Sequence, residues 1–229
     1  MPTPPDALPA APTLVLVCKR PALGHGKQRL ARRLGPEATL PIAEALLACA
    51  LEDLAAWPGP QVIAPDRAED ADWARQQAPA AHCQAQGGGN LGERLNTLDR
   101  QLRAQGHGVL VIIGSDIPAL TPALYAEVRA ALTEVDTVLV PACDGGVVLM
   151  ASRQPWPALA GLPWSTPALG DALQALCEAA GQQVRRVGLC RDVDEPADLL
   201  AAYQALAEDL RPARRALRAQ LLPLLEHCR

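Results

Sequence analysis

The segment Leu14–Leu30 reads L-V-L-V-C-K-R-P-A-L-G-H-G-K-Q-R-L, and the fold is decided there. Leu14 to Cys18 is an apolar run of strand length. Lys19 to Leu30 then gathers Lys19, Arg20, Lys27 and Arg29 around Gly24 and Gly26, and a helical pattern follows. Strand, glycine-bearing basic loop and helix together are a physical recipe for holding phosphates. Glycines let backbone N–H groups approach closely, and helix N-termini and cations favour anions. The loop is not a Walker A loop, because G-x-x-x-x-G-K-[ST] is absent. A solvated basic turn between a first strand and a first helix is the competing reading.

Outward from this segment, strands alternate with helices. The leader, residues 1–12, holds five prolines and is expected to be extended or disordered. Gly35-Pro36-Glu37 opens a long helix to about Trp57, with apolar residues at helical spacing, and Pro58-Gly59-Pro60 stops it. Gln61 to Ala64 is a short strand, and Asp70 to Gln77 a polar surface helix. Gln86-Gly87-Gly88-Gly89-Asn90 leads into a helix through Leu91, Leu95, Leu98 and Leu102. Val109 to Ile113 is a β-branched-rich run typical of a central parallel strand. Thr121 caps the next helix, with Pro122 at its first position. Thr137 to Val140 and Val147 to Met150 are strands around the turn Asp144-Gly145-Gly146. Pro167 to Ala180 is helical and Val184 to Val187 a late strand. Asp192 to Pro196 caps a helix from Ala197 to Leu210, and Arg211 to Leu225 is a last amphipathic helix. Arg211, Arg214, Arg215 and Arg218 on it read as a solvated face. Alternating strands and helices imply βαβ units and a mostly parallel sheet, in one domain spanning 13–229.

Composition excludes several classes. A hydrophobic fraction of 49% is ample for a core, and with no Phe, 2 Tyr and 4 Trp that core must be aliphatic. A formal net charge of -4 gives no support to general nucleic-acid binding. Seven scattered cysteines, odd in number and without a C-x-x-C pair, argue against a disulfide framework or zinc site and suit a reducing cytoplasm. No apolar run is long enough to span a bilayer, and no basic n-region followed by an apolar h-region stands at the start, so export and membrane insertion are not expected.

The carboxylates carry the chemistry. Asp116 directly follows the best central strand, and ligands of open α/β sheets sit at the carboxyl ends of strands. A carboxylate there can hold Mg²⁺, leaving other positions for water and phosphate; a turn aspartate before Thr121 is the alternative. Asp192 and Asp194 precede a helix, and either could complete a metal site or simply cap that helix. Asp144 makes either a tight turn or a contact to a transferred group. His25 reads as a loop residue.

The motifs, taken together, resemble bacterial proteins with a nucleotide-diphospho-sugar transferase fold, formerly grouped as a domain of unknown function. Such proteins are labelled glycosyltransferases, or transferases associated with radical-SAM proteins and arsenosugar biosynthesis. The family pattern K-x-P-x-x-G-x-x-K-T-R-L is met by Lys19, Pro21, Gly24, Lys27, Arg29 and Leu30. Q-x-G-x-D-L-G-E-R is met by Gln86, Gly88, Leu91, Gly92, Glu93 and Arg94. G-S-D-x-P-x-L is met from Gly114 to Leu120, D-G-G by Asp144 to Gly146, and D-x-D-x-P-x-D-L by Asp192, Asp194, Pro196, Asp198 and Leu199. Gln28 replaces the usual Thr, Asn90 an Asp, and Val147 and Val148 stand where the family tends to have tyrosines. Those valines imply a substrate pocket altered from the relatives' pocket.

The resemblance implies a GT-A-like three-layer α/β/α sandwich with a mostly parallel central sheet. It also implies a Mg²⁺- or Mn²⁺-dependent transferase that moves a sugar from a nucleotide sugar to a small-molecule acceptor. Lys19, Gly24, Lys27 and Arg29 would hold phosphates, and Gln86 and Asn90 the base or ribose. Asp116 and Asp194 would hold the metal, while Asp144, Gly145 and Gly146 would line the sugar or acceptor side. Lys27, Asp116 and Asp144 would be the catalytic set. Two alternatives remain: nucleotidyl transfer from a nucleoside triphosphate with release of pyrophosphate, and a non-catalytic nucleotide binder.

Overall fold

The computed structural model describes residues 11–226. The expected proline-rich leader therefore lies, apart from Ala11 and Pro12, outside the described residues. The elements run β1 (Thr13–Cys18), α1 (Gln28–Leu34), α2 (Pro36–Ala56), β2 (Gln61–Pro65), α3 (Ala71–Gln77), β3 (His82–Cys83), α4 (Leu91–Ala104) and β4 (Leu110–Ile113). The second half continues with α5 (Pro122–Ala131), β5 (Thr137–Pro141), β6 (Val147–Ser152), α6 (Leu169–Ala179), β7 (Val184–Arg186), α7 (Pro196–Ala205) and α8 (Pro212–Glu226). Local signals set several boundaries. Gly35 precedes Pro36 at the start of α2, Thr121 accepts from the Leu124 N–H at the start of α5, and Asn90 and Glu93 form a reciprocal capping box on α4.

Among the described residues, seven strands form one sheet in the order β3-β2-β1-β4-β6-β5-β7. All pairings are parallel except those of β6, which runs antiparallel between β4 and β5. The chain leaves β1 toward β2 on one side and returns to β4 on the other, so a topological switch point lies between β1 and β4. Because β6 is reversed, its first residues, Val147 and Val148, lie at the edge where the parallel strands end.

The period-two alternation of the strands divides the core into two layers. Leu14, Leu16, Ile63, Val111 and Ile113 face α2, α3 and α5. Val15, Val62, Leu110, Ile112 and Met150 face α4 and α6. The result is the three-layer α/β/α sandwich with a mostly parallel sheet that the motifs imply. A further cluster outside the α2 layer joins α1, α2, α7 and α8 through Leu30, Ile42, Leu46, Leu199 and Leu217. Among the described residues no helix is long and apolar enough to cross a membrane, and the described cysteines are all free.

The last helix corrects the sequence reading. Arg214 is not part of a solvated face: its side chain is fully buried. Its guanidinium donates to the carbonyls of Cys49 and Pro118, and to Glu52 (2.8 Å) and Asp53 (2.6 Å). Arg211 adds a second ion pair to Asp53 at 2.7 Å and donates to the Leu120 carbonyl, and the Tyr125 hydroxyl donates to Asp53 at 3.1 Å. Helical periodicity misses this, since a long cation at a core position looks like a surface residue until its carboxylate partners on α2 come into register. The network ties α8 and α2 to the turn after β4, and so to the segment carrying Asp116.

Removing one partner of a buried ion pair strands the other. Arg214→Leu should therefore lower unfolding free energy by about 3–5 kcal/mol. Urea denaturation of Arg214→Leu and of the double variant with Asp53→Leu checks this. Because Asp53 also serves Arg211 and Tyr125, the double variant should be the less stable of the two, and equal midpoints for wild type and Arg214→Leu would contradict the assignment.

Candidate functional site

The basic loop begins where β1 ends. It folds back on itself through a bridge between Ala22 and His25, and the Gln28 amide donates to the Gly24 carbonyl at 2.7 Å. Gln28 thus braces the loop. The loop ends at Lys27, the N-cap of α1, in a left-handed conformation (φ 45°, ψ 40°) with no side-chain capping bond. A non-glycine residue there costs on the order of 1 kcal/mol or more. The conformation sends the side chain across the strand ends instead. Its Nζ lies 2.8 Å from Asp116 Oδ2 and 2.8 Å from Asp194 Oδ1. Burial by itself would lower the Lys27 pKa, but the Asp116 and Asp194 carboxylates outweigh it and hold the ammonium above its ordinary value.

Asp116 sits in the turn after β4. Its backbone carbonyl accepts from the Val193 N–H at 3.0 Å. That bond brings the loop carrying Asp192 and Asp194 to the same edge, well past the end of β7 at Arg186. Burial, followed by the charges of Asp116, Asp194 and Asp144, pushes the Asp192 carboxyl up to about 6. The strand ends therefore carry an excess of negative charge that a single ammonium only partly offsets. The open oxygens are hard donors, and they fit a Mg²⁺ or Mn²⁺ ion held by one or two carboxylates and completed by water and phosphate. Among the described residues no group of three or more His, Cys, Asp or Glu side chains is already arranged around a metal position.

These residues open onto a cleft of about 510 Å³. Of the residues expected in the site, Lys19, Lys27, Gln86, Asp116 and Asp194 line it, and Asp192 lines it with them. Gln86 is buried and donates to the Ala64 carbonyl at 2.7 Å, so its amide also ties the floor together. Others stand outside the lining. Arg29 points outward, half exposed, 3.9 Å from Glu195. Asn90 spends its side chain on the α4 capping box and on the Ala160 carbonyl. Gly24 forms the loop's tip. Asp144 accepts from the Gly146 N–H at 2.9 Å, as a turn residue does. Gly145 has φ 90° and lies directly against the Pro167 backbone, so a side chain there would collide with that segment. The Asp144-Gly145-Gly146 turn acts on the cleft through its neighbours, because it delivers Val147 and Val148 to the wall.

Sequence reading passed over other lining residues. Asp66, in the segment after β2, lies 3.7 Å from His25 Nε2, and both His25 Nε2 and Asp66 Oδ1 are buried without a hydrogen-bond partner. Arg94 reaches the cleft from α4, and its place in the Q-x-G-x-D-L-G-E-R pattern was the available signal. Trp164 closes one side. Neither Asp66 nor Trp164 belongs to a motif.

No curated protein sequence matches the chain. Several solved structures share its fold. A protein from Desulfovibrio desulfuricans G20, provisionally named a nucleotide-diphospho-sugar transferase, superposes with a TM-score of 0.85 at 22% identity, covering 95% of this chain and 98% of the other. A 4-diphosphocytidyl-2C-methyl-D-erythritol synthase gives 0.51 at 15% identity over 87% of this chain and 100% of the other. Rv0371c of Mycobacterium tuberculosis H37Rv gives 0.50 at 17% identity over 85% of this chain and 98% of the other. What the chain shares with them is the nucleotide-sugar transferase fold, GT-A-like, with its sheet and two helical layers. In sequence, the profile of one bacterial family matches residues 50–166, more than half of the 229-residue chain. By that match the chain belongs to the family described as "Uncharacterized protein conserved in bacteria (DUF2064)".

Proposed function

We propose that this protein is a divalent-metal-dependent transferase acting on a nucleotide-activated substrate, with glycosyl transfer from a nucleotide sugar to a small-molecule acceptor as its reaction. The observation that carries this reading is the meeting of Lys27, Asp116 and Asp194 beside Asp192, at the carboxyl ends of the strands and next to the switch point. The name of the Desulfovibrio neighbour supports glycosyl transfer, and the name of the erythritol synthase neighbour supports nucleotidyl transfer as the second reading. Asp116 and Asp194, with Asp192 near them, would hold Mg²⁺ or Mn²⁺, which when bound supplies charge neutralisation on phosphate oxygens. Lys27 gives the phosphates a cation that is already positioned, and Lys19 at the cleft mouth adds a second. Gln86 would meet the base or ribose. Asp144 to Gly146 would shape the acceptor side through Val147 and Val148. Catalysis on this reading is mainly positioning and stabilisation of charge on the departing phosphate.

The test is product identity. With Mg²⁺, a panel of nucleotide sugars and candidate acceptors, the wild type should release a nucleoside diphosphate. Acceptor-dependent pyrophosphate from a nucleoside triphosphate would select the second reading, and neither product would leave a binding protein. Asp116→Asn should cut turnover at least about a hundredfold, because an amide is a poor substitute for an anionic oxygen at a hard cation.

Affinity should separate the two basic residues of the loop. Charge-assisted hydrogen bonds contribute roughly 1.5–3 kcal/mol. Lys27→Ala should then weaken nucleotide binding about tenfold to a hundredfold by titration calorimetry, while Arg29→Ala, outside the cleft, should change it less than about threefold. Equal losses would overturn this division.

The carboxylate cluster should also be visible in stability. Asp192 has an ordinary pKa of 3.8 that rises to about 6 in the native protein. The native state therefore holds its proton more tightly, and the resulting penalty is absent below pH 3.8, grows between there and about 6, and is complete above that. After allowance for its partial exposure the penalty is about 1 kcal/mol. Asp192→Asn should raise the metal-free melting temperature at pH 8 by about 2–4 °C. It should leave the melting temperature at pH 3.5 unchanged, and saturating Mg²⁺ should cancel the gain.

A further inference from the structure

Two of the four lysines and arginines lining the cleft are matched by carboxylates. Lys27 pairs with Asp116 and Asp194, and Arg20 lies 3.5 Å from Asp70. Arg94 differs. It lines the cleft from the second turn of α4, its Nε is buried, and that Nε has no hydrogen-bond partner. Among the described residues no carboxylate lies within ion-pair distance of its guanidinium.

Its surroundings make that costly. Leu91 and Leu95, three residues before it and one after, line the cleft on the same side of the helix. Leu95, Ile112 and Met150 belong to the apolar layer beneath α4, and Leu91, Val147 and Trp164 pack against that layer. Its Nε, set among such groups, loses water and gains no partner in return, although the residue as a whole is only half-buried. The helix that carries it is fixed in place. Gly92 lies so close to the Leu159 carbonyl that a Cβ would clash. Asn96 donates to Pro157 at 2.8 Å and accepts from the Leu159 N–H at 2.8 Å, and Asp99 accepts from the Trp156 N–H at 3.2 Å. The helix is thereby fixed against the 156–161 segment, and Arg94 is held at the cleft wall.

We propose that Arg94 is a binding residue for a second anionic group of the substrates, a carboxylate or phosphate received in an apolar pocket. This rests on the reading of the cleft as a substrate site, though not on which bond is transferred. Arg94 works from the opposite face of the sheet to Lys27. Lys27 opens α1, which packs on α2, whereas α4 covers the other face. A planar guanidinium can receive two oxygens of one anion in parallel. Leu91, Val147 and Trp164 would then contact the carbon skeleton behind that anion. The two sources of such an anion are the acceptor itself and the nucleotide's phosphate chain.

Titrations of wild type, Arg94→Met and Arg94→Lys test the assignment. The probes are isobutyrate and isobutyl phosphate, which are acids with an apolar body, and inorganic pyrophosphate for the nucleotide chain. Arg94→Met should weaken at least one probe about tenfold or more, with Arg94→Lys between it and wild type. Loss confined to the isobutyl acids assigns the anion to the acceptor, and loss of pyrophosphate together with nucleoside triphosphates assigns it to the nucleotide. Melting of Arg94→Met should be at or above that of wild type, since the one buried, unpartnered Nε is removed and no hydrogen bond or ion pair is lost. Unchanged affinities, a wild type that binds none of the probes, or a markedly lower melting temperature in Arg94→Met would each overturn the proposal. Nucleotide panels run in parallel on wild type and Lys27→Ala separate the two claims. Acid binding that depends on Arg94, in a protein that binds no nucleotide, would sink the transferase reading and leave the role of Arg94 standing.

Discussion

Carboxylates gathered at one edge of a sheet repel one another, and here Lys27 is the charge that lets them stay. Its ammonium touches Asp116 and Asp194 at 2.8 Å each. It thereby joins three segments distant in the chain: the first βα loop, the turn after β4 and the loop before α7. The side chain is largely withdrawn from water, with 12% exposure, and its backbone is held left-handed. Each of these is unfavourable alone. Two ion pairs in a partly desolvated setting outweigh them, because Coulomb attraction grows as the surrounding dielectric falls. The same interaction leaves Asp192 with more negative charge around it than is neutralised.

The frame that presents this cluster is built elsewhere. The switch point between β1 and β4 leaves the strand ends uncovered there, as in other open α/β sheets. The reversed β6 brings two valines to the same edge. Behind the first helical layer, the buried Arg214 network fastens α8 and α2 to the Pro118 and Leu120 carbonyls. The turn following Asp116 is thus anchored from outside the sheet. Position at the site is set by backbone carbonyls and buried charges, which are stiffer supports than exposed loops.

The cleft is chemically divided. At the strand ends it is polar and charged, with aspartates and lysine, while α2 itself adds the apolar Ala43, Leu46 and Leu47. On the α4 side it is apolar, with a single guanidinium among leucine, valine and tryptophan. Such a cleft sets charged groups beside apolar walls, as small-molecule pockets commonly do.

Much of this was legible in the sequence. The apolar runs Leu14–Cys18 and Val109–Ile113, the Thr121-Pro122 start signal and the spacing of leucines in α2 and α4 determined the alternation of strands and helices, since local propensity and period suffice for that. The same local logic put Lys27 in the loop after β1 and Asp116 in the turn after β4. Distance in space was another matter. That Lys27 would contact Asp116 and Asp194 together, that β6 would run backwards, that Arg214 would be buried and that Arg94 would line the cleft depended on register between segments far apart in the chain. Asn90 and Arg29 illustrate the reverse: suitable by type and spacing, they are turned by a capping box and by a helix face away from the cleft. The sequence by itself determined the elements and the residue types available to the site. Which of those residues meet, and which remain without a partner, was decided by tertiary packing, because side-chain direction and desolvation exist only once the layers have closed.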